Sequence, residues 1–212
     1  MKKIGLGLLG AVLLSGAVAA DSAQAPVKTV RDGVLDEIQL FVDSLGTPAQ
    51  VEVFVRPFDA QSADLGTGGK EGKETRQAEA QTIQKQGPQM LADSAVAALQ
   101  KGGLFKSAAV LAPDAQVGAG ALVIEGKFIE VNPGSRTKRY FAGFGAGKSV
   151  LEVTGTVKNA EGKTLATFRQ RRIGAMGMGG GDSLGKLLSD TRSIGEDVAR
   201  FLEAWGRGKS LE

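Results

Sequence analysis

The chain has 212 residues, 26 Lys and Arg against 23 Asp and Glu, and neither histidine nor cysteine. Without histidine there is no Ser-His-Asp or Cys-His catalysis and almost no route to a catalytic zinc site; without cysteine there are no disulfides. A formal charge of +3 is far from the marked basic excess of a dedicated nucleic-acid binder.

Lys2 and Lys3 precede the apolar run Ile4 to Leu14, and small residues with an Ala17-x-Ala19 exit lead to Asp21. That is the layout of a secretory signal peptide over residues 1–20. The run is too short for a bilayer-spanning helix, which needs roughly 20 residues, so no transmembrane segment is expected once the signal is removed. Its removal takes away two of the three excess positive charges. The expected address is periplasmic or secreted, where ATP, NAD and nucleic acid are scarce, so no cofactor, nucleotide or nucleic acid is expected. With no cysteine to carry a lipid, the mature chain reads as a free protein.

Residues 21–47 form an N-terminal extension. Val34, Leu35, Ile38, Phe41 and Val42 recur at helical spacing and predict a short helix between Gly33 and Gly46. Pro48 resets the chain, and Gln50 to Arg56 alternates as a strand. Asp59 to Glu74 has loop composition. Glu74 to Gln86 is helix-prone; Gly87-Pro88 is expected to interrupt or restart that helix, and Gly102-Gly103 to end it. Leu104 to Leu111 and Leu122 to Val131 read as strands, Gly126 marking a bulge. Ser149 to Val157 and Lys163 to Arg172 flank the turn Asn159 to Gly162 as a hairpin. After the Gly174 to Gly181 loop, Asp182 or Ser183 caps a long helix striped by Leu184, Leu187, Leu188, Thr191, Ile194, Val198, Phe201, Leu202 and Trp205. Residues 206–212 are a tail.

This order predicts an α/β (α+β) domain over residues 48–205: a mostly antiparallel sheet of about five strands with helices on one face.

Ala142 to Ser149 resembles a relaxed phosphate-binding loop, with Ala where the first Gly normally stands. A true one leaves a strand and enters a helix; here strand alternation follows Ser149. The same stretch carries a family likeness. Val123-Ile124-Glu125-Gly126, Asn132-Pro133-Gly134-Ser135-Arg136-x-x-Arg139, Gly143-Phe144-Gly145-Ala146-Gly147-Lys148-Ser149 and Gly179-Gly180-Gly181-Asp182-Ser183-Leu184 resemble the bacterial family catalogued as domain of unknown function 4410. The likeness spans about residues 48 to 205 and implies an envelope-associated protein. The element order also resembles small α/β domains of envelope accessory proteins.

Arg136, Lys138, Arg139, Gly143, Gly145, Gly147, Lys148 and Ser149 are the candidate contact for an anion or partner. Backbone amides in a glycine-rich turn make a concave anion site that nearby cations strengthen. The same charges can equally pair with Glu125, Glu130 and Glu152, or stay solvated. Met176, Met178, Gly179, Gly180 and Gly181 form a candidate mobile loop, methionine being adaptable at binding surfaces. Arg169 and Arg171 share one strand face and Arg172 the other, as expected of a positively charged edge strand. No catalytic or metal-binding residue stands out. The sequence therefore predicts a non-enzymatic periplasmic interaction or accessory module, contacting an envelope protein or an anionic envelope component. The alternative is a histidine-free hydrolase acting on envelope glycans through two carboxylates.

Overall fold

A computed structural model describes residues 25–66, 73–112, 114–134, 148–174 and 182–212. The helix expected between Gly33 and Gly46 is not formed. Instead β1 (Lys28–Arg31) and β2 (Glu37–Leu40) pair antiparallel across a turn in which Asp32 takes a positive φ of 55°. Ile38 and Leu40 are buried while Glu37 and Gln39 face outward, a period of two that includes Leu40, which the set with helical spacing leaves out. Pairing with a neighbouring strand decides between the two patterns, since β2 lies against residues 166–169 later in the chain.

A short 3-10 turn at Pro48–Gln50 leads into β3 (Glu52–Val55). The first helix, α1 (Lys73–Gly102), runs unbroken for 30 residues through Pro88, where an interruption was the expectation. An interior proline costs about 3 kcal/mol. Packing offsets it on both sides: Ile83 before the proline and Leu91 and Ala95 after it are all fully buried. Gly87 also lies against the Phe128 ring, where a Cβ would sit at 3.2 Å. Pro88→Ala, which restores an amide donor to the helix, is therefore expected to stabilise the protein by about 1–2 kcal/mol. A lower urea midpoint for that variant would show that the proline is required rather than tolerated.

The remaining strands are β4 (Ser107–Val110), β5 (Leu122–Asn132), β6 (Ser149–Asn159) and β7 (Thr164–Gly174), and α2 (Ser183–Gly206) follows. Among the described residues these strands form one seven-stranded sheet, in the order β1-β2-β7-β6-β5-β3-β4. The expectation of about five strands is short by the N-terminal pair. The sheet is also mixed, because β3 is parallel to both β4 and β5. The β3–α1–β4 path explains the first of these pairs, since a helical crossover returns the chain to run in the same direction. The α+β class stands.

Both helices pack on each other and on strands of the sheet. Their contacts advance together, from Glu79 with Ser183, through Ser94 with Arg192, to Gly102 with Glu203, so the helices are parallel. Between helices and sheet runs an aromatic chain: Phe58, Phe168, Phe201 and Trp205, with ring centroids 6.3, 6.0 and 5.8 Å apart in turn. Gly126 and Gly155 are register partners beneath it. A Cβ on Gly126 would lie 2.5 Å from the Phe58 ring and one on Gly155 2.3 Å from the Phe168 ring. Gly126 thus makes room for an aromatic ring, while the register irregularity falls between Phe128 and Glu130. In the C-terminal segment Leu211 is buried, and its carbonyl accepts from the Val34 amide.

Candidate functional site

With the helices on one side, the outward side chains of β2, β7, β6 and β5 face solvent. Strand register orders them into rows. Glu37, Arg169, Thr154 and Lys127 lie across one row, and Gln39, Thr167, Thr156 and Glu125 across the next. The threonines are short and the surrounding residues long, so the face dips into a hollow of about 670 Å³ whose rim includes Arg56, Lys127, Lys158 and Arg169.

Most rim charges are held by one another. Glu125 accepts from Lys158 Nζ at 2.5 Å and lies 3.7 Å from Arg56 Nε. Arg171 spans Glu130 at 3.2 Å and Glu152 at 3.1 Å, and Arg169 reaches Glu152 at 3.4 Å. Arg56 also donates to the carbonyls of Ala112 and Ala115, both at 2.6 Å. Such partly exposed pairs each add at most about 1 kcal/mol, but together they fix where the long side chains stand. Glu125, Glu130 and Glu152, considered above as partners for Arg136, Lys138, Arg139 and Lys148, are engaged by these strand cations. The two-residue period places Arg169 and Arg171 together and Arg172 opposite, as expected. The edge-strand explanation is corrected, because β7 lies between β2 and β6. The edges are β1 and β4, and β1 carries the exposed Lys28 and Arg31.

Of the residues singled out in the sequence, Arg136, Lys138, Arg139, Gly143, Gly145, Gly147, Met176, Met178, Gly179, Gly180 and Gly181 lie outside the described residues. Lys148 is exposed just before β6. Ser149, offered as a contact residue, is 1% exposed and faces inward; among the described residues its hydroxyl has no hydrogen-bond partner, and it lies where a Cβ on Gly174 would be 2.3 Å away. A strand follows Ser149, not the helix that a phosphate-binding loop requires. The residues flanking 67–72, 135–147 and 175–181 gather at one end of the sheet. There Gly66 meets Asn132, Gly174 meets Ser149 and Lys186, and Ser183 bonds Glu79 at 2.6 Å. Lys186, also at this end, pairs with Asp190.

Sequence reasoning missed the open face, although its signal was present. The alternation Glu152, Thr154, Thr156, Lys158 states the polar side of β6. What it lacks is the identity of the neighbouring rows. Among the described residues no group of three or more acidic side chains is placed to hold a metal ion, and no helix is long and apolar enough to cross a membrane.

Among the described residues these features define an α+β protein whose mixed sheet is covered by two parallel helices on one face and open on the other. The chain belongs to the family described as Domain of unknown function (DUF4410), whose model matches residues 53–178. No curated protein matches it. Similar solved structures include the PelC dodecamer from Paraburkholderia phytofirmans, 12% identical with a TM-score of 0.42, covering 81% of this chain and 95% of that one. A second, titled only as an uncharacterized protein, is 12% identical with a TM-score of 0.38, covering 74% of this chain and 94% of that one.

Proposed function

We propose that the protein is a non-enzymatic accessory module of the bacterial cell envelope, exported through residues 1–20 and acting by surface contact. The observation that carries the contact role is the open sheet face, a broad polar surface whose charged rim is held in place by its own ion pairs. The envelope address rests on the signal-like start, Lys2-Lys3 before a short apolar run and a small-residue exit. The hydrolase alternative draws no support from this face, where Glu125, Glu130 and Glu152 are each tied to a cation. The anion-contact role of Arg136, Lys138, Arg139 and Lys148 remains part of the proposal.

Osmotic-shock fractionation of cells making the full chain tests the address. The periplasmic fraction is expected to hold a product lighter by the mass of residues 1–20, and full-mass protein in the cytosol would overturn it. Co-sedimentation of that product with peptidoglycan and with anionic vesicles, at low and high salt, tests the anion contact. Binding that weakens with salt and is lost in the Arg136→Ala, Arg139→Ala, Lys148→Ala variant is the expected result.

A further inference from the structure

The chemistry of the open face narrows its ligand. A protein interface draws its strength from buried aromatic and apolar anchors, yet the large apolar side chains that stand exposed among the described residues are Val27 and Ile173. Neither lines the hollow. Of the rim cations, Arg56 and Lys158 already hold Glu125 and Arg169 holds Glu152, which leaves Lys127 as the rim cation outside these pairs among the described residues. A strongly charged ligand would gain one exposed contact there and little from exchanging the other pairs.

The floor differs from the rim. Thr154, Thr156 and Thr167 are half-buried there, and among the described residues none of their hydroxyls has a hydrogen-bond partner. Register sets Thr156 directly beside Thr167, with Thr154 two residues along the same strand face. Each threonine presents a methyl beside a hydroxyl that can both donate and accept. Pro57 adds an apolar ring to the lining and Gln39 an amide.

We infer that this hollow binds an uncharged, polyhydroxylated ligand, a segment of glycan chain, through the three threonine hydroxyls. A pyranose alternates C–H and O–H groups around its ring. It therefore matches a floor of methyls and hydroxyls, and it brings its own donors and acceptors without disturbing the paired rim. The inference deepens the surface-contact reading and rests on it.

The test is a titration of the isotope-labelled mature chain with chitotetraose as the neutral probe and tetragalacturonate as the acidic one, followed by amide chemical shifts. Chitotetraose is expected to move the amides of Thr154, Thr156 and Thr167 and their register neighbours, with an affinity unchanged in high salt. The Thr154→Val, Thr156→Val, Thr167→Val variant keeps shape and strand preference and should bind at least tenfold more weakly. Lys28→Ala, on the edge strand β1 and outside the hollow, should bind as the parent does. No shifts with either sugar, equal binding by the valine variant, or salt-sensitive binding of the acidic sugar alone would each overturn the inference, provided the variant's spectrum shows a folded chain. A periplasmic product that gives no shifts loses the glycan site and keeps the accessory role. A cytosolic product loses the envelope address whatever the titration gives.

Discussion

Gly195→Val is expected to cost about 3 kcal/mol, near the upper end for overpacking a well-filled interface. Gly195 is the close approach between the parallel helices: a Cβ there would lie 2.5 Å from the Leu91 carbonyl oxygen and 2.9 Å from the Ser94 Cβ. The first of these atoms is helix backbone, so relief requires moving α1 off its seat on the sheet. Replacing a helix-interior glycine ordinarily gains up to ~1 kcal/mol in propensity, and the clash outweighs that gain. The same helix supplies the control. A Cβ on Gly185 would meet the Asp182 carboxylate at 2.4 Å, but Asp182 is exposed and its side chain can swing aside. Gly185→Ala should therefore stabilise by roughly 0.5–1 kcal/mol. Thermal unfolding checks both: about 6–12 °C down for Gly195→Val and a few degrees up for Gly185→Ala, using roughly 2–4 °C per kcal/mol at this chain length. Equal shifts of one sign would mean that the helices can slide apart freely.

These two glycines show where the sequence is legible and where it is not. The α2 stripe from Leu187 to Trp205 announces a buried helix face by its period, and Leu187, Ile194, Val198, Phe201 and Leu202 are indeed fully buried. The β6–β7 hairpin was legible for the same reason, its alternation being local and its turn composition distinctive. Gly195, Gly126 and Gly155 carry no such local signal, because their meaning is the presence of Leu91, Phe58 and Phe168 in space. The N-terminal strands failed for a related reason: Ile38 belongs to a set with helical spacing, Leu40 falls outside that set, and the deciding term is pairing with Phe168 and Ala166, more than a hundred residues away. Pro88 misled because local propensity is weak against the burial of Ile83 and Leu91. The candidate site was half legible. The outward row Glu152, Thr154 and Thr156 could be read from one strand, whereas the hollow needs Gln39, Thr167 and Glu125 set beside it.

Asp197→Ala is expected to cost about 4 kcal/mol, because a buried ion pair is most damaging when only one partner is removed. Asp197 is 2% exposed on the sheet side of α2 and binds both Arg172, from the inner face of β7, and Arg200, one turn along its own helix. The two arginines are not equivalent. Arg200 is largely exposed and can return to water, so Arg200→Ala should cost less than about 1 kcal/mol. The Arg172 side chain is 30% exposed, but its Nε is buried with no partner among the described residues, so losing Asp197 leaves that part of the guanidinium uncompensated. It follows that Asp197→Leu combined with Arg172→Met, an apolar pair of similar bulk, should recover most of the loss. Urea unfolding of the parent, Asp197→Leu, Arg172→Met and the double variant measures the coupling directly, and near-additive losses would show that water replaces Asp197 at the exposed part of Arg172. The same pair ties α2 to β7, whose other face carries Arg169, Arg171 and Thr167. A small loss in the single variant would therefore also mean that the helix layer and the open face are mechanically independent. A large one joins the core ion pair to the strand that carries Thr167 in the proposed glycan-binding floor.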